Sequence, residues 1–239
     1  VVLIIEPWNY PLSMVGAPLV GAIAAGNCAL MKPSEVTTHT SAAIAAILPR
    51  YLDKDAFAVV EGGIPETTEL LEQRFDHILY TGNERVARIV MGAAAKHLTP
   101  VTLELGGKSP CLIDKSADIE VAASRIAWGK FLNAGQTCVA PDHVLVHRDV
   151  ATPFVDALAR RIREFYGDDP ARSPDYCRIA SERHAERFAK LLEGQKVHVG
   201  GRVDVANRFV EPTIVLDPPV DSELMREEIF GPVLPVITV

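Results

Sequence analysis

Short apolar runs alternate with longer helical patterns through the first hundred residues, and this alternation predicts the fold. Five runs have the length of buried strands. They are Val1–Ile5, Cys28–Lys32, Phe57–Val60, Asp76–Tyr80 and Val101–Leu105. Segments with helical spacing separate them, which is typical of a doubly wound parallel sheet with a Rossmann-like architecture. Ligands of such sheets bind beyond the carboxyl ends of the strands.

Gly106-Gly107-Lys108 follows the fifth run and predicts a joint between two domains, residues 1–105 and 106–239. A second strand–helix region begins at Cys111, so we expect a second α/β domain. A charged, exposed helix is predicted over Ser181–Glu193. The first and last segments of the chain read as buried strands, and we therefore expect both domains to be incomplete parts of a longer protein.

The segment from Pro7 to Met31 has no charged residue. At ~1.5 Å per helical residue it is long enough to cross a bilayer. Prolines and glycines interrupt it, however, and Gly26-Asn27 is a helix-stop signal. A buried helix followed by a buried strand is therefore the preferred interpretation.

Composition excludes several classes of protein. The chain has 239 residues, of which 48% are hydrophobic and 23% charged, with a net charge of -7. No basic patch for nucleic acid or for an anionic membrane surface is expected from this balance. The four cysteines lie far apart and form no C-x-x-C pair, which favours free thiols in a reducing compartment such as the cytoplasm.

Polar residues follow three of the predicted strands, where a ligand is expected. Asn9 can donate an amide N–H to a developing oxyanion, or it can simply form a turn. Lys32 and Glu35 can hold a ribose diol, or they can belong to a polar loop that begins a helix. At Gly82-Asn83 the N–H groups of a helix start can bind a pyrophosphate, although a Gly-containing turn is common without one. No G-x-G-x-x-G fingerprint occurs.

Two residues have the chemistry of a covalent catalyst. Glu104 lies within an apolar strand, and we expect it to be buried and suited to general-base work, with a structural carboxylate as the alternative. Cys138 follows Gly135-Gln136-Thr137 in a predicted turn. It is either a nucleophile or a small hydrophobe, and we assign the second role to the other three cysteines.

His143 and His147 have the spacing of two metal ligands on a helix. The residues between them read as strand, in which four residues span ~13 Å at ~3.3 Å each, too far to share one ion. No metal site is expected.

Six motifs together make the chain similar to the aldehyde dehydrogenase superfamily, in the order and spacing of that family. They are P-W-N-Y-P (7–11), K-P-S-E (32–35), Y-T-G-N (80–83), L-E-L-G-G-K-S-P (103–110), G-Q-T-C-V-A-P-D (135–142) and E-E-I-F-G-P (227–232). The Y-T-G-N form and H-L-T-P-V (97–101) most resemble its class 3 branch. The resemblance covers essentially the whole chain.

The resemblance implies oxidation of an aldehyde to an acid by NAD, or by NADP, in a homodimeric parent protein. Cys138 would be the nucleophile, Glu104 the base that activates water, and Asn9 part of the oxyanion hole. The residues implied at the cofactor are Lys32 and Glu35 at the adenosine ribose, Gly82 and Asn83 near the pyrophosphate, and Glu228 and Phe230 at the nicotinamide end. Ala87 departs from the family's usual Gly, and we expect its methyl group to narrow the approach to the cofactor.

Two other classes of function stay open. A Cys–His hydrolase could pair Cys138 with His143 or His147, but it leaves the K-P-S-E and E-E-I-F-G-P motifs unexplained. A non-catalytic relative is also compatible with the fold, although Cys138, Glu104 and Asn9 are all retained.

Overall fold

The chain divides into two units, Val1–Gly106 and Gly107–Val239, in a computed structural model that describes residues 1–239. Each unit has its own sheet and its own hydrophobic core. The assignment of one unit to the cofactor and the other to catalysis stays a prediction.

The first unit is built on a parallel sheet in the order β3-β2-β1-β4-β5. The strands are β1 (Val2–Ile5), β2 (Ala29–Lys32), β3 (Phe57–Val59), β4 (His77–Gly82) and β5 (Val101–Leu105). The helices between them are α1 (Pro11–Ala24), α2 (Thr38–Ile47), α3 (Ile64–Leu71) and α4 (Glu84–Ala95). The chain builds outward from β1 to β3, then returns to add β4 and β5 on the other side. The predicted doubly wound sheet is confirmed.

Helices cover both faces of this sheet, which explains why β1 is apolar throughout. Leu3 and Ile5 pack with residues of α3 and α4, whereas Ile4 packs with residues of α1 and α2. Successive side chains of a strand face opposite sides. All three are at most 5% exposed.

The uncharged segment forms α1 and then β2, as predicted, but α1 is buried on one face only. Val15, Leu19 and Ala22 face the core, while Leu12 and Val20 are 69% and 66% exposed. The expectation of a buried helix therefore holds for one face of α1 only, because only the side that faces the sheet is covered. None of the helices combines the length and the apolar character that a membrane span requires.

The second unit contains a five-stranded mixed sheet in the order β6-β7-β12-β11-β8. The strands of the whole unit are β6 (Pro110–Ile113), β7 (His143–Val146), β8 (Val197–Val199), β9 (Val203–Asp204), β10 (Phe209–Val210), β11 (Thr213–Leu216) and β12 (Val233–Thr238). Its helices are α5 (Ile119–Phe131), α6 (Ala151–Tyr166), α7 (Glu182–Leu192) and α8 (Glu223–Arg226). β8 pairs antiparallel with β11, the other sheet pairs are parallel, and β9 and β10 form a separate antiparallel pair.

Helix α7 occupies the predicted segment but is amphipathic rather than exposed. Ala185, Phe188 and Leu191 are at most 6% exposed. They recur at three-residue spacing and so share one face of the helix. The predicted exposed helix is corrected to a helix that buries an apolar stripe under a charged outer face.

Candidate active site

Lys32 and Glu35 lie together at the carboxyl end of β2. Lys32 is only 2% exposed, and its Nζ donates to the carbonyl oxygen of Pro33 at 2.7 Å and to Glu35 Oε2 at 3.3 Å. Ser34 caps the turn that follows, since its hydroxyl accepts the N–H of Val36. The buried amine is thus fixed, while the Glu35 carboxylate faces solvent, where a hydroxyl-bearing ligand can reach it.

Asn83 caps α4, and its own N–H is already engaged. Its Oδ1 accepts the N–H of Val86 at 3.0 Å, and its N–H donates to the hydroxyl of Tyr80 at 3.0 Å. A side chain at Gly82 would collide with that Tyr80 hydroxyl, so glycine is required here by close approach. The helix-start N–H groups that remain for an anion belong to Glu84 and Arg85, which have no intrahelical acceptor.

Ala87 lies on the inner side of α4. It is 2% exposed and belongs to the same core cluster as Leu3, Ile5 and Tyr80. Its methyl group therefore faces the sheet rather than the solvent-exposed start of the helix. The expectation that it narrows the approach to the cofactor stays a prediction.

Glu6 follows β1 and carries a buried carboxyl group. It is 6% exposed, and neither carboxyl oxygen has a hydrogen-bond partner. Burial raises the pKa of Glu6 to about 9, and the positive charge of Lys32 partly opposes that shift. A neutral carboxylic acid therefore lies beside the strand end that carries Lys32.

Glu104 and Asn9 belong to the first unit. Glu104 pairs with Thr81 across β4 and β5 and is exposed, so the expectation of a buried carboxylate is wrong. The physical reason is that β5 is an edge strand, and no core cluster includes Glu104 on its face of the sheet. Asn9 is half-buried in the bend between β1 and α1. At both positions the side chain can be reached by a water molecule or a ligand from solvent.

Cys138 belongs to the second unit and has an exposed thiol in a turn after α5. Asn133, Ala134 and Gly135 are successively left-handed, with φ of 52°, 51° and 72°. Such a run is unfavourable for residues other than glycine and reverses the chain sharply. A side chain at Gly135 would also meet the carbonyl groups of Gly231 and Lys130.

Gln136 fixes this loop to the rest of the unit. It is 3% exposed, its Nε2 donates to the carbonyl oxygens of Asn133 and Arg178, and its Oε1 accepts the N–H of Ala180. A buried amide with both ends hydrogen-bonded holds the loop in one conformation. The thiol two residues later is thus presented from a fixed backbone.

The E-E-I-F-G-P segment lies directly against this loop. Arg187 donates to the carbonyl oxygens of Glu228 and Ile229, at 2.8 and 2.7 Å. Phe230 is left-handed, with φ of 49°, and a side chain at Gly231 would collide with the ring of Phe188. Since Gly231 also approaches Gly135, the structure brings the predicted nucleophile loop and the predicted nicotinamide segment together.

A group of charged side chains lies beside both the Cys138 loop and the E-E-I-F-G-P segment. Asp142 is 3% exposed, and its carboxylate accepts from Lys108 Nζ and from the N–H of Ile229. Lys130 is 1% exposed, and burial lowers its pKa to about 8, which Asp142 partly opposes. Burial also raises the pKa of Glu228. The charges of Lys108, Lys130 and Asp142 therefore interact with one another.

His143 and His147 do not join this group as metal ligands would. His143 Nδ1 lies 3.3 Å from Asp142, and His147 Nδ1 accepts the N–H of Asp149. The described residues contain no cluster of three or more His, Cys, Asp or Glu side chains arranged around an ion. Neither ring hydrogen-bonds to Cys138, so the structure offers no support for a Cys–His hydrolase.

Sequence reasoning missed Glu6, Lys130 and Asp142. A signal exists for Lys130, because it follows Ala123, Ile126 and Ala127 on the apolar stripe of α5 at helical spacing. Glu6 continues the apolar run of β1 and is the only charge in it. Asp142 gives no such signal, because its partners Lys108 and Ile229 are distant in sequence.

Comparison with known proteins agrees with these motifs. The aldehyde dehydrogenase family model matches residues 1–239. The chain is 57% identical to aldehyde dehydrogenase family 3 member A2 of Mus musculus, over all of the chain and 49% of that protein. It is 55% identical to the aldehyde dehydrogenase, dimeric NADP-preferring, of Canis lupus familiaris, over all of the chain and 53% of that protein. The chain thus spans about half the length of these curated relatives.

Solved structures give the same result. The substrate-bound AldH of Staphylococcus aureus superposes with a TM-score of 0.96 at 48% identity, over all of the chain and 52% of that protein. The aldehyde dehydrogenase of Mycobacterium tuberculosis complexed with NAD+ gives 0.89 at 31% identity, over all of the chain and 52% of that protein. The predicted α/β architecture and the predicted relationship to the class 3 branch are confirmed.

Proposed function

The chain belongs to the aldehyde dehydrogenase family, and from this premise we propose that the whole protein oxidises an aldehyde to a carboxylic acid with NAD+ or NADP+. The observation that carries the proposal is the exposed thiol of Cys138 on a loop fixed by Gln136 and by close packing of Gly135 against Gly231. A reactive cysteine needs such access and such fixed surroundings.

Cys138 acts as the nucleophile. Its thiolate attacks the aldehyde carbon and forms a C–S bond, and the carbonyl oxygen becomes an oxyanion that the Asn9 amide and the Cys138 N–H stabilise. Loss of hydride from that carbon leaves a thioester on Cys138. The dinucleotide, when bound, supplies the hydride acceptor.

Glu104 releases the product. Its carboxylate takes a proton from a water molecule, which attacks the thioester carbon, breaks the C–S bond and frees the acid and the thiol. Exposure of Glu104 in the first unit is compatible with this step, because the base has to reach a water molecule. Glu104 also argues against transfer to a CoA thiol, in which water must not compete.

The residues present fit a dinucleotide. The switch point of the first sheet lies at β1, and Lys32 and Glu35 meet at the neighbouring strand end. Lys32 and Glu35 hold the adenosine ribose, Gly82 and Asn83 lie near the pyrophosphate, and Glu228 and Phe230 position the nicotinamide end. Glu35 favours NAD over NADP, since a carboxylate accepts from the 2′-hydroxyl and repels a 2′-phosphate.

The relatives bear on cofactor and assembly. One is named as dimeric and NADP-preferring, and another was solved with NAD+. We propose that this protein is also a homodimer and accepts both dinucleotides.

Formation of reduced dinucleotide by the whole protein tests this function. A panel of aldehydes of increasing chain length is combined with NAD+ and, separately, with NADP+. We expect aldehyde-dependent reduction with at least one pair and equimolar acid. A protein that reduces neither dinucleotide with any aldehyde would contradict the proposal.

A further inference from the structure

The segment of residues 227–231 has no regular secondary structure to hold its backbone. It lies between the end of α8 at Arg226 and the start of β12 at Val233. Backbone N–H and C=O groups that leave water need hydrogen-bond partners, and helices and sheets normally supply them from other backbone groups. In this segment charged side chains supply partners instead, and Arg187 of α7 supplies two of them.

Arg187 fixes two successive peptide planes of the segment. Its Nη2 donates to the carbonyl oxygen of Glu228 at 2.8 Å, and its Nη1 donates to that of Ile229 at 2.7 Å. The first of these planes is also held at its other end, because the N–H of Ile229 donates to Asp142 Oδ1 at 2.9 Å. A planar guanidinium, with donors in a rigid fork, can fix both carbonyl groups in direction as well as in distance.

The fixed planes determine the direction of the Glu228 side chain. A peptide unit is rigid, so the backbone between two units turns only about φ and ψ of the residue that joins them. Lys108 Nζ holds the preceding plane through the carbonyl oxygen of Glu227 at 2.8 Å. The planes on both sides of Glu228 are therefore fixed, and with them the direction in which its side chain leaves the backbone.

Phe230 shows that the segment is held against local strain. Its φ of 49° is left-handed, which is unfavourable for a residue other than glycine. Strained backbone persists only where its surroundings fix it, and it occurs preferentially at functional sites. The carbonyl oxygen of Ile229, to which Arg187 donates, belongs to the peptide plane directly before Phe230. Arg187 thus stabilises the conformation in which Phe230 is presented.

Arg187 is itself held in place. It is half-buried, and its guanidinium carbon lies 5.7 Å from the centroid of the Phe188 ring, within the range of a cation–π contact. The same ring fills the space that a side chain at Gly231 would need. Two adjacent residues of α7 therefore determine the path of the segment from Glu228 to Gly231.

We propose that Arg187 is a positioning residue of the dinucleotide site, which holds the backbone of Glu228 and Ile229 so that Glu228 and Phe230 bind the nicotinamide end. This inference rests on the proposed function, which assigns Glu228 and Phe230 to that end. Arg187 touches no ligand in this role and acts through two carbonyl groups. The adenosine end, assigned to residues of the first unit, does not depend on it.

Calorimetric titration of the whole protein with NAD+ and with ADP tests the inference. ADP lacks the nicotinamide and its ribose, so it probes the adenosine end alone. Arg187→Met removes every donor but keeps an apolar stem, and Arg187→Lys keeps the charge without the paired donors. Arg183→Met, at an exposed position one turn earlier on α7, is the matched control.

The effect should fall on NAD+ alone. Arg187→Met should weaken NAD+ binding about tenfold, because two hydrogen bonds from a charged donor to the segment are lost. Arg187→Lys should weaken it about threefold, because one ammonium group can replace only part of the fork. ADP binding should stay within about twofold of wild type in both variants, and the control should bind both ligands as wild type does.

Two results would overturn the inference. Equal loss of NAD+ and ADP affinity would show that Arg187 supports the fold as a whole, and unchanged NAD+ affinity in Arg187→Met would show that the segment does not need it. If Arg187→Met does not fold, Arg187→Lys decides by the same comparison. The proposed function survives either result, because it depends on aldehyde oxidation by the wild type. A wild type that binds neither NAD+ nor NADP+ would overturn the inference and the proposed function together.

Discussion

Asp142 Oδ1 accepts the backbone N–H of Ile229 at 2.9 Å and thereby joins the end of the nucleophile loop to the segment proposed to hold the nicotinamide. The other carboxylate oxygen accepts from Lys108. One buried side chain thus connects three of the six motifs. Their order along the chain gives no hint of this connection.

Asp142→Ala should destabilise the protein by about 2 to 4 kcal/mol, because it leaves a buried N–H and a partly buried ammonium group without their acceptor. Asp142→Asn keeps the acceptor for Ile229 and should cost less. Chemical denaturation of the whole protein measures both, with the exposed Asp168→Ala as control. Equal stability of Asp142→Ala and the control would show that the network contributes nothing.

Glu6→Gln should stabilise the protein at neutral pH. The folded protein holds a proton on Glu6 up to about 9, whereas the unfolded chain loses it near 4.5. Wild-type stability therefore falls as pH rises through this window, by about 1.4 kcal/mol per pH unit for one proton. The amide removes that loss, which amounts to roughly 3 kcal/mol at neutral pH. Free energies of unfolding at several pH values check this, and a difference that does not grow with pH would contradict it.

Much of the first unit was predictable because its central strands β1 and β2 are buried on both faces. Continuous apolar runs such as Val2–Ile5 identify such strands without further information. The strands Val203–Asp204 and Phe209–Val210 were not predictable, since two residues give no periodicity. The sequence of α1 is apolar all round, as in a fully buried helix, so the exposure of its outer face was not predictable.

The candidate site was also predictable only in part. Cys138 and Lys32 lie in motifs whose chemistry is local to a strand end or a turn. The burial of Glu104 was predicted wrongly, because a sequence does not reveal that β5 is an edge strand. Asp142 escaped notice because its partners come from other elements, and Glu6 because its burial depends on the elements packed around β1.

Cys138→Ser should abolish aldehyde oxidation, by about a thousandfold or more, and leave dinucleotide binding intact. A serine hydroxyl ionises far less readily than a thiol, so the attack on the aldehyde is lost. Steady-state rates and calorimetry on the whole protein provide the two readings. Cys177→Ser, an exposed cysteine of the same unit, is the control and should keep full activity. Comparable activity in the two variants would remove Cys138 from the mechanism.

Glu35→Gln should lower the ratio of kcat/KM for NAD+ over NADP+. The charge that repels a 2′-phosphate disappears while the shape of the side chain stays, and each ~1.4 kcal/mol of lost discrimination is about a factor of ten. Lys32 lies 3.3 Å from Glu35 and can offset part of the effect. Glu69→Gln, the same change at an exposed position of α3, is the control. If Glu35→Gln leaves the ratio unchanged, as the control should, Glu35 has no part in cofactor preference and is only a loop residue.

Glu104→Gln should slow release of the acid more than formation of the thioester. The amide cannot take the proton of the attacking water, so acyl enzyme accumulates after one turnover. A burst of reduced dinucleotide followed by slow turnover is the expected time course. Loss of the burst with unchanged dinucleotide binding would move Glu104 to an earlier step.

Mass spectrometry of the Glu104→Gln protein, quenched in acid after mixing with an aldehyde and NAD+, tests the covalent mechanism most directly. The account predicts that the peptide containing Cys138 gains the mass of the aldehyde less two hydrogen atoms, which is the mass of a thioester. Omission of NAD+ should abolish this gain. Reduced dinucleotide formed while Cys138 stays unmodified, or the same adduct on Cys111 or Cys177 instead, would contradict it.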